Sequence, residues 1–91
     1  MLTNLFTIIE SRKQNRPQGS YTAELFSMGE DEILKKVGEE AMEVILAAKG
    51  QGEQRLIEET ADLFYHVLVM LAYKNLTLAD VEAELRRRHH S

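Results

Sequence analysis

The segment from Glu53 to Tyr73 restricts the possible folds of this chain more than any other feature of the sequence. It is predicted to be one helix, and after Asp62 its residues are apolar around nearly the whole helix circumference. A helix of this kind must be covered on several sides. A chain of 91 residues has few other helices to offer. A second subunit is therefore the favoured source of that cover, and a tightly wrapped monomer is the alternative.

The rest of the chain also has helical periodicity, and its composition of 44% hydrophobic and 29% charged residues is typical of a compact, soluble protein. The expected fold is all-α: an antiparallel bundle of four to five helices in one domain, residues 1–91, with a core completed by dimerisation. The other predicted helices cover residues 2–14, 20–26, 31–49 and 77–88.

Residues that begin or end helices support these boundaries. Ser20 is placed to cap the second helix and Gly29 to stop it. Gly50 is placed as a C-terminal cap of the third helix. Thr77, with Asp80 three residues later, predicts a capping box at the start of the last helix.

Charge and composition exclude several classes of function. With 15 acidic and 11 basic residues, the net charge of −4 argues against a general binder of nucleic acid or of an anionic membrane. The absence of cysteine excludes disulfides and thiolate metal sites. The longest near-apolar run, Leu63 to Tyr73, is too short to span a bilayer, and the N-terminal sequence does not resemble a secretory leader. We therefore expect a cytoplasmic protein.

Two acidic pairs interrupt the apolar pattern of neighbouring helices. Glu40 and Glu43 lie three residues apart, as do Glu59 and Asp62, so each pair shares one helix face. The glycines between the two helices let the second fold back antiparallel to the first, so that the four carboxylates can converge. Such hard oxygen ligands suit Mg²⁺, with Mn²⁺ as a substitute.

A solvated acidic surface is the competing interpretation. Acidic residues in first turns favour the helix dipole, and Lys36 with Glu40 would make an ordinary surface ion pair. Glu39 lies further toward solvent on the helical wheel. Two pairs of matched spacing, each beside an apolar stripe, favour the metal site, because clustered carboxylates repel one another unless a cation is bound.

His66 follows Asp62 by one turn, but a single histidine in an apolar run is more often a packed residue hydrogen-bonded to the backbone. Neither acidic pair has the Glu-x-x-His form of a di-iron bundle.

Basic residues near the end of the first predicted helix offer a second candidate site. They could hold phosphates together with the hydroxyl-bearing stretch that follows, or they could form a solvated helix end; spacing alone does not decide. The residues are Arg12, Lys13 and Arg16, followed by Ser20, Tyr21 and Thr22. The run from Arg86 to His90 is instead interpreted as a helix terminus with a frayed end.

Three stretches, KKVGEEAMEVILAAK, EETADLFYHVLVML and RPQGSYTAELF, together closely resemble the phosphoribosyl-ATP pyrophosphohydrolase family. That family belongs to the all-α nucleoside-triphosphate pyrophosphatase (MazG-like) superfamily. The superfamily pattern Glu-Glu-x-x-Glu falls on Glu39, Glu40 and Glu43, and its Glu-x-x-Asp pair falls on Glu59 and Asp62.

The resemblance implies a Mg²⁺-dependent, dimeric enzyme that hydrolyses phosphoribosyl-ATP to phosphoribosyl-AMP and pyrophosphate in histidine biosynthesis. The metal would be held by Glu40, Glu43, Glu59 and Asp62. Glu39 or Glu43 would take the proton of the attacking water. Lys36 would meet a phosphate oxygen, and the residues from Arg12 to Thr22 named above are weaker candidates for substrate binding.

Two other functions fit the same residues. A house-cleaning pyrophosphatase acting on ordinary or damaged nucleoside triphosphates would use the same four carboxylates. A non-enzymatic helical interaction module would leave them solvated, and Mg²⁺ would then neither bind nor stabilise the protein.

Overall fold

The computed structural model describes residues 1–89, and within that range the chain forms five α-helices and no strand. The all-α fold expected from the sequence is confirmed. The run from Arg86 to His90 is described only in part, because His90 lies outside the described residues. The helices are α1 (Leu2–Gln14), α2 (Tyr21–Met28), α3 (Glu30–Gly50), α4 (Glu53–Tyr73) and α5 (Leu78–Arg88).

Helix α2 begins as the sequence predicts. The Ser20 hydroxyl accepts a hydrogen bond from the Ala23 N–H at 3.1 Å and so satisfies one free donor of the first turn. The helix continues two residues past the expected end at Phe26, to Met28. It stops where Gly29 takes a φ of +98°, a conformation that favours glycine.

The capping box of α5 is also confirmed. The Thr77 hydroxyl accepts from the Asp80 N–H at 3.1 Å, and the Asp80 carboxylate accepts from the Thr77 N–H at 2.9 Å. This reciprocal pair fixes the residue at which α5 starts.

The turn between α3 and α4 differs from the prediction. Gly50 does not cap α3, because the Gln51 N–H still donates to the Ala47 carbonyl at 3.1 Å and the helix continues through Gly50. The chain reverses at Gly52, whose φ is +91°. Helices α3 and α4 therefore form a long antiparallel hairpin with a very short connection.

This hairpin is the framework of the fold, since α3 and α4 make the most extensive contact between any two helices of the described chain. Helix α1 packs on α4, and α2 lies against both α1 and α3. The core lies where these four helices meet, and Val69 on α4 is completely buried. Its members are Phe6, Ile9, Leu25, Phe26, Ile33, Leu68, Val69, Leu71 and Ala72.

A large apolar surface stays uncovered within one chain. Met42, Ile45 and Leu46 on α3 are exposed, as are Ile57 and Phe64 on α4. An apolar cleft of about 320 Å³ also opens between α4 and α5. Its lining is Leu2, Leu63, Phe64, Val67, Leu68, Leu71, Leu78, Val81 and Leu85. The expectation that one chain does not cover every side of α4 is thus met.

Across residues 1–89, none of the helices combines the length and the hydropathy needed to cross a membrane.

Candidate metal and active site

Three carboxylates from two helices meet at the hairpin. Glu40 projects from α3, and Glu59 and Asp62 project from α4, with one oxygen of each lying within 4.8 Å of the others. The three-residue spacing places Glu59 and Asp62 on one face of α4, and the antiparallel pairing places Glu40 opposite them. Glu59 is buried, with 6% of its surface exposed. The arrangement could hold a metal ion, and its all-oxygen donor set suits a hard divalent cation.

The electrostatics of Glu40 reflect this crowding. Burial raises the pKa of Glu40 above its ordinary value, and the charges of Asp62 and Glu59 raise it further. Lys36 acts in the opposite direction, as does the cationic form of His66. A carboxyl group whose ionised form is disfavoured in this way gains from a bound cation, which supplies the missing positive charge.

In metal-free solution we expect Glu40→Gln to be more stable than the wild type at neutral pH. The pKa of Glu40 is raised from 4.5 in the folded protein, so its contribution to stability is fully present below about that pH. That contribution is lost as the pH rises through the folded-state pKa. The stability difference between Glu40→Gln and wild type should therefore be small at pH 4 and grow upward from there, as measured by urea unfolding in chelator.

Glu58→Gln is the matched control for that experiment. A hydrogen bond from Gln54, with a second from Arg55, lowers the pKa of Glu58. Its contribution therefore has the opposite sign: it is present above the unfolded-state pKa and is lost as the pH falls. A Glu40→Gln variant that loses stability at neutral pH as Glu58→Gln does would contradict the crowding of carboxylates.

Arg55 is a site residue that the sequence analysis missed. Its guanidinium lies 3.0 Å from Glu59 and 3.1 Å from Glu58, and the charge of Glu43 also raises its pKa. Arg55 thus neutralises one side of the carboxylate group. The signal was present in the sequence, because Arg55 precedes Glu59 by four residues on one helix face.

The remaining acidic candidates lie outside the group of converging carboxylates. Glu43 is partly buried one turn beyond Glu40 on α3, outside the group of three converging carboxylates. Glu39 is exposed, and its carboxylate is 3.9 Å from the Lys36 ammonium. Lys36 is thus paired with Glu39 rather than with Glu40. The roles of Glu39 and Glu43 in proton transfer and of Lys36 in phosphate binding stay predictions.

His66 is a packed residue bonded to the backbone, as the sequence predicts. It is 7% exposed, and its Nδ1 lies 2.8 Å from the carbonyl oxygen of Asp62. Its other ring nitrogen, Nε2, lies 2.8 Å from the Tyr21 hydroxyl. The sequence did not reveal this second contact, which joins α2 to the helix carrying two of the carboxylates.

Tyr21 also borders a cleft of about 240 Å³ between α2 and α3. Lys36, one turn before Glu40 on α3, lies on the same cleft. The full lining is Tyr21, Glu24, Leu25, Met28, Glu32 and Lys36.

The basic candidates fall in different surroundings. Arg16 and Ser20 border a separate cleft of about 350 Å³ at the start of α2. The Arg12 guanidinium donates to the Ser11 hydroxyl at 3.1 Å, and Thr22 is buried in the core region. Their parts in substrate binding stay predictions.

The Lys13 ammonium is engaged at the C-terminal end of α4. It donates to the Ala72 carbonyl at 2.8 Å and to the Asn75 side chain at 2.7 Å. Ten residues of helix separate Ala72 from Asp62, about 15 Å along the axis. Lys13 is therefore bound at the end of α4 that is remote from Asp62.

An all-α fold in which carboxylates from two antiparallel helices converge agrees with what the resemblance to the all-α nucleoside-triphosphate pyrophosphatases implies. Comparison with protein families makes this more specific. The model of the phosphoribosyl-ATP pyrophosphohydrolase family matches residues 2–89, and the chain belongs to that family.

Proteins that are similar to nearly the whole of this chain carry the corresponding name. A phosphoribosyl-ATP pyrophosphatase of Clostridium acetobutylicum is 52% identical over 89 residues, covering 98% of this chain and 81% of the relative. Proteins of the same name from Pelotomaculum thermopropionicum and Listeria welshimeri are 53% and 54% identical over 88 residues. Those alignments cover 97% of this chain and 90% and 84% of the relatives.

Proposed function

We propose that this protein hydrolyses phosphoribosyl-ATP to phosphoribosyl-AMP and pyrophosphate in histidine biosynthesis, with Mg²⁺ as its metal and in the cytoplasm. One observation carries the proposal: the family match over residues 2–89 includes the carboxylate group of Glu40, Glu59 and Asp62. The chemistry of this group supports the choice of metal, since Mg²⁺ binds through a few carboxylates and substrate phosphates. Mn²⁺, which takes similar ligands, is expected to substitute.

The residues divide into two tasks in this proposal. Glu40, Glu59 and Asp62 hold the metal, with Glu43 as a further ligand or as the proton acceptor. When bound, Mg²⁺ would offset the charge of the triphosphate and lower the pKa of a water molecule. We assign to Lys36, which lines the cleft between α2 and α3 one turn before Glu40, a contact with a phosphate oxygen of the substrate.

The reaction breaks one phosphoric anhydride bond. The oxygen of water adds to one phosphorus of the α–β linkage, and the bridging oxygen leaves with the other phosphorus. A carboxylate takes the proton that the water loses. Of the two candidates, Glu43 is favoured, because Glu39 is exposed and already lies beside the Lys36 ammonium.

The test is pyrophosphate release from phosphoribosyl-ATP by the purified protein, with Mg²⁺ and with chelator, beside dCTP, dUTP and ATP. Mg²⁺-dependent release from phosphoribosyl-ATP alone is expected. Equal or greater release from the common nucleotides would support a house-cleaning pyrophosphatase instead. Activity on none of them would overturn the proposal.

We propose in addition that two copies of the chain pair through the exposed apolar sides of the hairpin. Met42, Ile45 and Leu46 of α3 and Phe64 of α4 are large apolar residues that are all exposed. Soluble monomers rarely expose large contiguous apolar patches. Pairing two hairpins would complete a four-helix arrangement and supply the cover that α4 lacks.

Phe64→Glu is expected to convert the dimer into a monomer of 10.4 kDa in light scattering after size exclusion. The substitution places a charge in the middle of an apolar surface that would otherwise be buried between the copies. Ile8→Glu is the matched control, because Ile8 is equally exposed, at 50%, but lies on α1 away from the apolar cleft. A wild type that is already monomeric at micromolar concentration would contradict the pairing.

A further inference from the structure

His66 connects two parts of the candidate site that are far apart in sequence. Its Nδ1 faces the carbonyl oxygen of Asp62 and its Nε2 faces the hydroxyl of Tyr21, each at 2.8 Å. A carbonyl oxygen can only accept, so Nδ1 must carry a proton. In the neutral imidazole Nε2 is then an acceptor, and the Tyr21 hydroxyl donates its proton to His66.

This bond determines what the Tyr21 hydroxyl can offer. With its only proton directed at His66, the phenol oxygen is left with lone pairs and can accept a hydrogen bond from a further group. Burial raises the pKa of Tyr21, and the negative charges of Glu40, Glu32, Asp62 and Glu24 raise it further. The hydroxyl therefore stays protonated, and its proton lies in the hydrogen bond to His66.

The position of Tyr21 makes it accessible to a ligand. Its side chain is 47% exposed and borders the cleft between α2 and α3, beside Lys36. Its ring packs edge-on against His66, with centroids 5.8 Å apart. The tyrosine is thus held in place by a buried residue while it borders the cleft.

We infer that His66 is a positioning residue that holds the Tyr21 hydroxyl as an acceptor for a ribose hydroxyl of the bound nucleotide. The inference rests on the proposed function and assigns a contact of its substrate. The cleft suits a sugar, because the carboxylates of Glu24 and Glu32 on its lining are also acceptors for hydroxyl groups. Tyr21 would touch the substrate, and His66 would act through Tyr21.

The experiment measures kcat and KM for phosphoribosyl-ATP in Tyr21→Phe, His66→Phe and the double variant. Each single variant should raise KM about tenfold, the loss expected for one hydrogen bond to the ligand, with kcat within about threefold of wild type. The double variant should be no worse than either single variant, because both remove the same interaction.

Conservative replacements separate positioning from folding. His66→Gln keeps an amide oxygen that can accept from Tyr21, so its KM should return close to the wild-type value. Tyr65→Phe is the matched control: Tyr65 is the neighbouring phenol in the same aromatic cluster, and its loss should leave KM unchanged. The Mg²⁺-induced rise in Tm should persist in all of these variants.

Nitrogen NMR of the His66 ring shows which ring nitrogen carries the proton and does not depend on turnover. A proton on Nε2 instead of Nδ1 in the neutral ring would overturn the inference. An unchanged KM in Tyr21→Phe would overturn it as well. So would a double variant whose KM is about a hundredfold above wild type, because the two substitutions would then act independently. Should His66→Phe fail to fold, Tyr21→Phe and His66→Gln still decide the outcome. A wild type inactive on phosphoribosyl-ATP would overturn the proposed function and this inference together, whereas an active one with these failures would overturn the inference alone.

Discussion

Asp62→Asn is expected to lower kcat/KM for phosphoribosyl-ATP by roughly a thousandfold, in the range found when one group that stabilises transition-state charge is removed. The change is nearly isosteric, but it removes one of three negative charges whose oxygens lie within 4.8 Å of one another. It should also abolish the stabilisation by metal. A wild-type site at ~100 times its dissociation constant gains about 2.7 kcal/mol from Mg²⁺, and hence roughly 10–20 °C in Tm.

Glu58→Gln provides the control on the same helix. Glu58 is exposed and ion-paired with Arg55 at 3.1 Å, but it is not a member of the converging group. Its substitution should leave both kcat/KM and the response of Tm to Mg²⁺ near wild type. An Asp62→Asn enzyme that keeps full activity and full Mg²⁺ stabilisation would show that the three carboxylates are a solvated surface.

The helices were predictable from the sequence because their limits depend on local chemistry. The expected range of α4, Glu53–Tyr73, agrees with the structure, since the apolar pattern and flanking residues define it. The capping box of Thr77 and Asp80 was predictable for the same reason, as both partners lie within one turn. Gly50 was placed wrongly, because a glycine near a helix end marks the cap only within a residue or two.

For the candidate site, the sequence could predict only which residues share one face of a helix. The three-residue spacing on α4 indicated that Glu59 and Asp62 share a direction, and the hairpin brings Glu40 opposite them. The position of Glu43 relative to that group depends on how α3 is rotated and shifted against α4, which periodicity does not determine. The bond between Tyr21 and His66 joins residues 45 positions apart, so no local pattern could have indicated it.

Glu43→Gln is expected to abolish turnover while leaving the fold intact. In the proposed reaction Glu43 takes the proton of the attacking water, and loss of a general base costs about 10²–10⁴-fold in rate. Because Glu43 lies outside the three converging carboxylates, its variant should keep most of the Mg²⁺-induced rise in Tm. The loss should therefore appear in kcat, with KM little changed.

Comparison of Glu43→Gln with Glu39→Gln and Asp62→Asn assigns the role of each carboxylate. Glu39 is exposed and lies 3.9 Å from the Lys36 ammonium, so its substitution should cost far less activity than that of Glu43. If Glu43→Gln loses the Mg²⁺ response as Asp62→Asn does, Glu43 is a fourth metal ligand, and the base must be sought elsewhere. If Glu43→Gln keeps full activity, Glu43 is neither a metal ligand nor the base. Its carboxylate then serves only to offset the charge of Arg55, whose pKa it raises.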